Sequence, residues 1–202
     1  MKLYSFTGSC ALASHICLLW AELPFELEML EREQMATEAI RSLSPNGKVP
    51  ILVDGDLVLT QGNSILHYIA DSNPAANLLG ANLKERAITN MWLGLINSDM
   101  HPAYTPLFGT TAYLGDDAAI EQTKTNARQR VRTYYEQIDK QLEGRDWLTG
   151  TRSIADAYLF ITGLWAGFVE VDLSGLSNLA RFMERMKADP AVQQAMKDQG
   201  LA

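Results

Sequence analysis

The sequence predicts a small α/β domain followed by an all-helical one. Three observations carry this. Strand-like and helix-like segments alternate up to about residue 75; Ser72-Asn73-Pro74 closes that stretch; and from Leu83 onward the apolar spacing is helical throughout. The two domains are expected at residues 1–77 and 83–202.

In the first half, Leu3-Tyr4-Ser5-Phe6 reads as a strand and Thr7-Gly8-Ser9 as a turn. From Ala11 onward Leu12, Ile16, Leu19 and Leu23 recur every three or four residues, which is one face of a helix. After the turn at Pro24, Glu26 to Leu30 forms a second strand, and a helix over residues 34–42 leads to a third at Val49 to Val53. Asp54-Gly55-Asp56 is a tight hairpin signal into Leu57 to Thr60. Asn63 or its neighbour then caps a helix through Ile65, Leu66 and Ile69 to about Ala70. That order makes a mixed sheet.

In the second half, one helix runs from Lys84 towards Tyr113, with Pro102 and Pro106 expected to kink it. Another spans about Ala118 to Glu143 and presents Arg128, Arg130 and Arg132 as a solvated face. A third starts at Ser153 and carries Ile154, Ala157, Tyr158 and Ile161 at core spacing. Shorter helices are expected around 177–188 and 191–198. Internal repeats and low-complexity tracts are absent from the sequence.

Composition bounds the chemistry. A chain of 202 residues with 47% hydrophobic and 20% charged side chains can bury a sizeable core. A net charge of −7 argues against nucleic acid, because phosphate binding needs clustered Lys and Arg. Residues 1–77 hold four basic and nine acidic side chains, so an anionic ligand there must be held by local donors. The N-terminal run contains Ser5, Thr7, Gly8, Ser9, Ser14 and His15, which suits strand, turn and helix better than a signal peptide. No stretch approaches the roughly 20 apolar residues of a membrane span. His15, His67 and His101 lie scattered, without ligand-spaced Cys or carboxylates, so a metal site is not expected.

Cys10 stands where the first helix begins. Unpaired N–H groups and the positive end of the helix dipole favour a thiolate there, which makes Cys10 a candidate nucleophile or redox centre. The alternative is a small buried hydrophobe. Cys17 lies seven residues on, roughly 10 Å along the same helix. A disulfide spans about 7 Å between Cα atoms, so the two cysteines cannot pair and a reducing cytoplasm is expected.

Three further strings carry chemistry. In Asn46-Gly47-Lys48-Val49-Pro50-Ile51-Leu52 a proline enters a strand. A cis bond at Pro50 would turn the Val49 backbone outward as an edge for an extended peptide, an ordinary turn being the alternative. Thr60-Gln61-Gly62-Asn63-Ser64-Ile65 places free N–H groups at a helix start, either as a carboxylate site or as plain capping. Trp147 to Asp156 contains Ser153 and Asp156 as a capping box for a buried helix.

Together these strings resemble those of a cytosolic glutathione S-transferase. Cys10 after Met-Lys-Leu-Tyr makes the bacterial beta class the nearest fit, and the resemblance covers essentially the whole chain. It implies a thioredoxin-like N-terminal domain, an α-helical C-terminal domain, a homodimer in the cytoplasm, and glutathione as co-substrate without a metal. It assigns Lys48, Val49, Pro50, Gln61 and Gly62 to glutathione, with Val49 pairing with the cysteinyl backbone and Gln61 and Gly62 holding the γ-glutamyl group. Cys10 and His101 become the catalytic pair at the glutathione sulfur. Tyr104, Phe108, Tyr113 and Trp165 become an apolar wall for the second substrate, a small apolar electrophile or a disulfide.

The chain departs from the beta-class pattern at Ser5, where a Tyr is common, at Pro102 in place of a Lys, and at Gly94 in place of an Asn. Gln61 stands where Glu is frequent, and strand alternation sends the Tyr4 ring away from the site. The leading expectation is addition of glutathione to electrophiles, glutathione-dependent thiol–disulfide exchange through Cys10, or both, with thiol transferase or peroxidase side activity. A binding or regulatory protein without conjugating activity is the alternative. A glutaredoxin-type reductase fits less well, because no C-x-x-C pair is present.

Overall fold

The computed structural model describes residues 1–201. Its sheet has four strands, β1 (Lys2–Ser5), β2 (Glu26–Met29), β3 (Ile51–Asp54) and β4 (Leu57–Leu59), in the order β2-β1-β3-β4. β1 runs parallel to β2 and antiparallel to β3, with Leu3 opposite both Leu27 and Leu52. Strand alternation buries Leu3 and Ser5 together on one face. Tyr4 faces the other side, packed against Leu30, Ile40 and Ile51.

Helix α1 (Ala11–Trp20) is buried at every position except Leu19. A helix apolar nearly all round must be enclosed. α1 packs against α3 (Gly62–Ser72) on one side and against α7 (Ile154–Phe168) and α9 (Pro190–Asp198) on the other. The thiol at its N-terminus is thereby fixed between the two halves of the chain. The expected helix over 34–42 is instead a tight turn at Arg32–Ala36 followed by α2 (Glu38–Leu43). Thr37 breaks it: its backbone is extended and its hydroxyl accepts from Ile40 N at 3.5 Å.

The helical half begins with α4 (Leu83–Gly94), capped by Asn82. The single kinked helix expected from Lys84 to Tyr113 does not form. α4 passes into a π-helical turn at Leu95–Met100, then α5 (His101–Ala103), and then a 3-10 turn at Thr105–Phe108 that ends at left-handed Gly109. The wider π turn accommodates Pro102, which has no N–H for a normal helical bond. α6 (Asp117–Gln141) and α8 (Ser177–Ala188) complete the bundle. The arginines of α6 do more than face water: Arg128 donates to Val169 O at 3.1 Å, and Arg132 to the carbonyls of Asp172 and Ser174. They fasten the loop that follows α7.

Candidate active site

A cavity of about 740 Å³ lies between the sheet end and the helical half. It is lined by Cys10, Lys48, Val49, Pro50, Gln61, Gly62, His101, Phe108 and Trp165, so nine of the eleven residues singled out in the sequence come together. The other two do not line it. Tyr104 is fully buried behind the wall, stacked on Phe108 with ring centroids 5.9 Å apart, its hydroxyl bonded to Tyr135 and to Thr162 O. Tyr113 is 83% exposed, beyond the turn at Gly109, where the break in the expected helix carries it away from the cavity.

Each lining group is placed by local structure. The Val49–Pro50 bond is cis, and Val49 stands at the cavity just ahead of β3. Ser44 holds this approach by accepting from Lys48 N and donating to Lys48 O. Gln61 precedes α3 at φ 70°, a conformation that costs a non-glycine residue on the order of 1–3 kcal/mol and tends to occur at functional sites. The π turn sets His101 and Asn97 on the same side, so both reach the cavity.

Helix α7 supplies the back wall. Its start is the Ser153–Asp156 capping box expected from the sequence. The buried Asp156 carboxylate accepts from Leu148 N (2.9 Å), Ser153 N (2.9 Å) and Ser153 Oγ (2.6 Å). Trp165 donates from Nε1 to Gly8 O at 2.8 Å, tying α7 to the turn that precedes Cys10. Its ring meets His101 with centroids 4.6 Å apart and Phe108 at 5.4 Å.

Tyr158, Asn97 and Arg32 are among the lining residues that the sequence did not single out. Tyr158 sat at core spacing, and its one signal was a hydroxyl on a buried face, which needs a partner. Asn97 lies four residues before His101, a spacing that shares a helix face. Arg32 carried no signal in a segment read as a connection. With Lys48 it brings positive charge into the more acidic half of the chain, the local donors that an anion there requires.

The electrostatics differ from the expected thiolate. Burial pushes the Cys10 thiol up to about 11. The Tyr158 hydroxyl, the backbone N–H at the helix start and Lys48 all pull the other way, as the position predicts, yet burial outweighs them. The thiol donates to Val49 O at 3.9 Å. His101 is lowered to about 4, first by burial and then by Lys48, so its imidazole is neutral at physiological pH.

The departures from the beta-class pattern also find their places. Ser5 does not line the cavity and donates to Gln199 Oε1 at 3.0 Å. Pro102 does line the cavity. Gly94 lines a smaller hollow of about 240 Å³ beside Asn63, His67 and Asn90.

A thioredoxin-like domain joined to a helical one, with this cavity at their junction, defines the class. The profile described as glutathione S-transferase, N-terminal domain matches residues 7–72, and that described as glutathione S-transferase, C-terminal domain matches residues 100–190. The chain belongs to the glutathione S-transferase family. It is 47% identical to glutathione S-transferase GST-4.5 of Xanthomonas campestris pv. campestris, over 100% of both chains. A solved glutathione S-transferase from Xylella fastidiosa superposes with a TM-score of 0.97 at 48% identity, covering 100% of this chain and 99% of that one. Two more structures have TM-scores of 0.88 and cover 100% of both chains: a sphingomonad glutathione S-transferase complexed with glutathione (34% identical), and a bacterial beta class enzyme of Sphingomonas chungbukensis (31%). Among the described residues no cluster of His, Cys, Asp or Glu is suited to a metal ion, and no helix is long and apolar enough to cross a membrane.

Proposed function

We propose that the chain is a glutathione transferase that adds glutathione to small apolar electrophiles in the cavity between its two halves. The observation that carries this reading is the convergence of the Val49 backbone ahead of cis Pro50, the start of α3, the Cys10 thiol and the His101 imidazole on one cavity. The γ-glutamyl group sits at Gln61 and Gly62, where the first N–H groups of α3 are free to bind its carboxylate. The cysteinyl backbone pairs with Val49, and Lys48 and Arg32 attract the glycyl carboxylate. Phe108 and Trp165 offer the electrophile an apolar wall.

In this reading the chemistry at sulfur rests on neutral donors. With burial pushing its thiol up to about 11, Cys10 is protonated at neutral pH. It acts as an S–H donor to the glutathione thiolate, and the neutral imidazole of His101 supplies an N–H. Addition to the electrophile then needs no charge on the protein at the reacting sulfur. Thiol–disulfide exchange through Cys10 is the second reading, favoured by the thiol's place on the cavity and disfavoured by its protonation.

The protein works as a cytoplasmic homodimer in this proposal, with the exposed Ile88 and Met91, three residues apart on α4, covered by the second copy. Retention on immobilised glutathione, followed by conjugation of glutathione to an aryl halide, tests the main reading. Retention with conjugation supports it. Retention without conjugation supports the binding-protein alternative, and no retention overturns both.

A further inference from the structure

The Tyr158 hydroxyl lies 2.6 Å from His101 Nδ1 and 3.4 Å from Asn97 Oδ1, and it also faces the Cys10 thiol. Tyr158 is 2% exposed, so its hydroxyl must be satisfied by these neighbours rather than by bulk water. A phenol has one proton to give. Of the three acceptors it could serve, Asn97 Oδ1 is at the limit of distance and the Cys10 sulfur is a weak acceptor, whereas Nδ1 is close, so the proton goes to the imidazole. A neutral imidazole that accepts at Nδ1 carries its own proton on Nε2. Among the described residues Nδ1 is the only ring nitrogen of His101 with a hydrogen-bond partner, which leaves the Nε2–H unused by the protein.

We infer that Tyr158 is a positioning residue: it fixes His101 in the Nε2–H tautomer and thereby presents one N–H to the sulfur of glutathione. The inference rests on the proposed function for the identity of that sulfur, but the tautomer itself does not. Helix α7 is built to hold the ring. Two turns beyond Tyr158, Trp165 packs edge-on against the same imidazole, and Trp165 is itself anchored on Gly8 O. One helix therefore sets the ring's hydrogen bond and its tilt, and the π turn that precedes His101 supplies the other side of the grip. Because burial and Lys48 keep the imidazole neutral, the choice of tautomer decides whether the site has a donor or an acceptor to offer.

The test is nitrogen NMR of the full chain with labelled histidine, read on wild type and on Tyr158→Phe, with steady-state conjugation and glutathione affinity measured alongside. Wild type should show a neutral Nε2–H imidazole for His101, and glutathione should move its Nε2 signal. Tyr158→Phe should show mixed tautomers, with kcat/KM down about tenfold, as for one lost hydrogen bond, and Kd for glutathione within about twofold. An Nδ1–H tautomer in wild type, or a variant unchanged in tautomer and rate, overturns the inference. A wild type that shows the Nε2–H tautomer but binds no glutathione overturns the proposed function and the role at sulfur, while the hydrogen bond stands. The wild-type spectrum decides the tautomer even where the variant does not fold.

Discussion

The sulfur of Cys10 sits 3.9 Å from the carbonyl oxygen of Val49. One caps the start of a buried helix and the other is the backbone just ahead of a strand, 39 residues apart in sequence. Their contact puts the thiol beside the peptide groups proposed to pair with the cysteinyl residue of glutathione. A protonated thiol there has an S–H to donate. Cys10→Ser keeps a donor and Cys10→Ala does not, so conjugation should fall about tenfold in the Ala variant and about threefold or less in the Ser variant. Disulfide exchange with glutathione mixed disulfides should vanish in both. Parallel kcat/KM measurements for the two reactions check this, and an unchanged exchange rate in either variant excludes a covalent role for Cys10.

Asp156 holds the start of the helix that carries Tyr158 and Trp165. Removing its carboxylate leaves the N–H groups of Leu148 and Ser153 buried without a partner, and takes away the cap. Asp156→Ala should cost about 3 kcal/mol, the sum of a lost cap and an unsatisfied buried donor. Urea unfolding reads this directly. Asp156→Asn keeps an acceptor and should lose less than half as much.

Much of this site was legible before the fold was known, and the reason is local. Pro50, Gly62, Cys10 and the Ser153–Asp156 pair act through backbone geometry within a few residues, which a sequence displays. Tyr104 and Tyr113 were misplaced because their directions depend on one non-local event, the passage of α4 into a π turn. Tyr158 was missed for the converse reason. Its spacing is that of a core residue, and only the position of His101, 57 residues earlier, gives its hydroxyl a purpose. The thiol's protonation was likewise beyond a local reading, since the helix start does favour thiolate and the opposing burial comes from packing between the two halves.

Two histidines, the buried His15 and the half-buried His101, act on the acid response of stability. His15 and His101 are both lowered to about 4, His15 by burial within α1 despite the opposing charge of Asp198. Unfolded imidazoles take up protons near 6.5 while the folded ones stay neutral, so stability falls as pH drops from about 6.5 towards 4. Asp156 acts in the opposite sense. Burial raises its carboxyl to about 6, so the folded chain holds that proton where the unfolded chain releases it, and its contribution grows on acidification. Near pH 5 the two histidines outweigh Asp156, so unfolding takes up protons on balance and stability falls as the pH drops. Urea unfolding between neutral pH and about pH 5 should show it, and His15→Asn should flatten the slope towards zero.

The apolar wall can be dissected because its members sit at different depths. Phe108 is 47% exposed at the cavity and touches Trp165, whereas Tyr113 is 83% exposed and outside it. Phe108→Ala removes much of the surface an apolar electrophile would cover, so KM for that substrate should rise about tenfold, the equivalent of roughly 1.4 kcal/mol. KM for glutathione should stay within about twofold, because the wall lies apart from Gln61 and Val49 in the proposed mode of binding. Tyr113→Ala should change neither constant. If Tyr113→Ala weakened the electrophile as much as Phe108→Ala, the segment beyond Gly109 would have to fold back over the cavity during turnover. Product release would then be faster in that variant, and a viscosity dependence of kcat present in wild type would weaken in it.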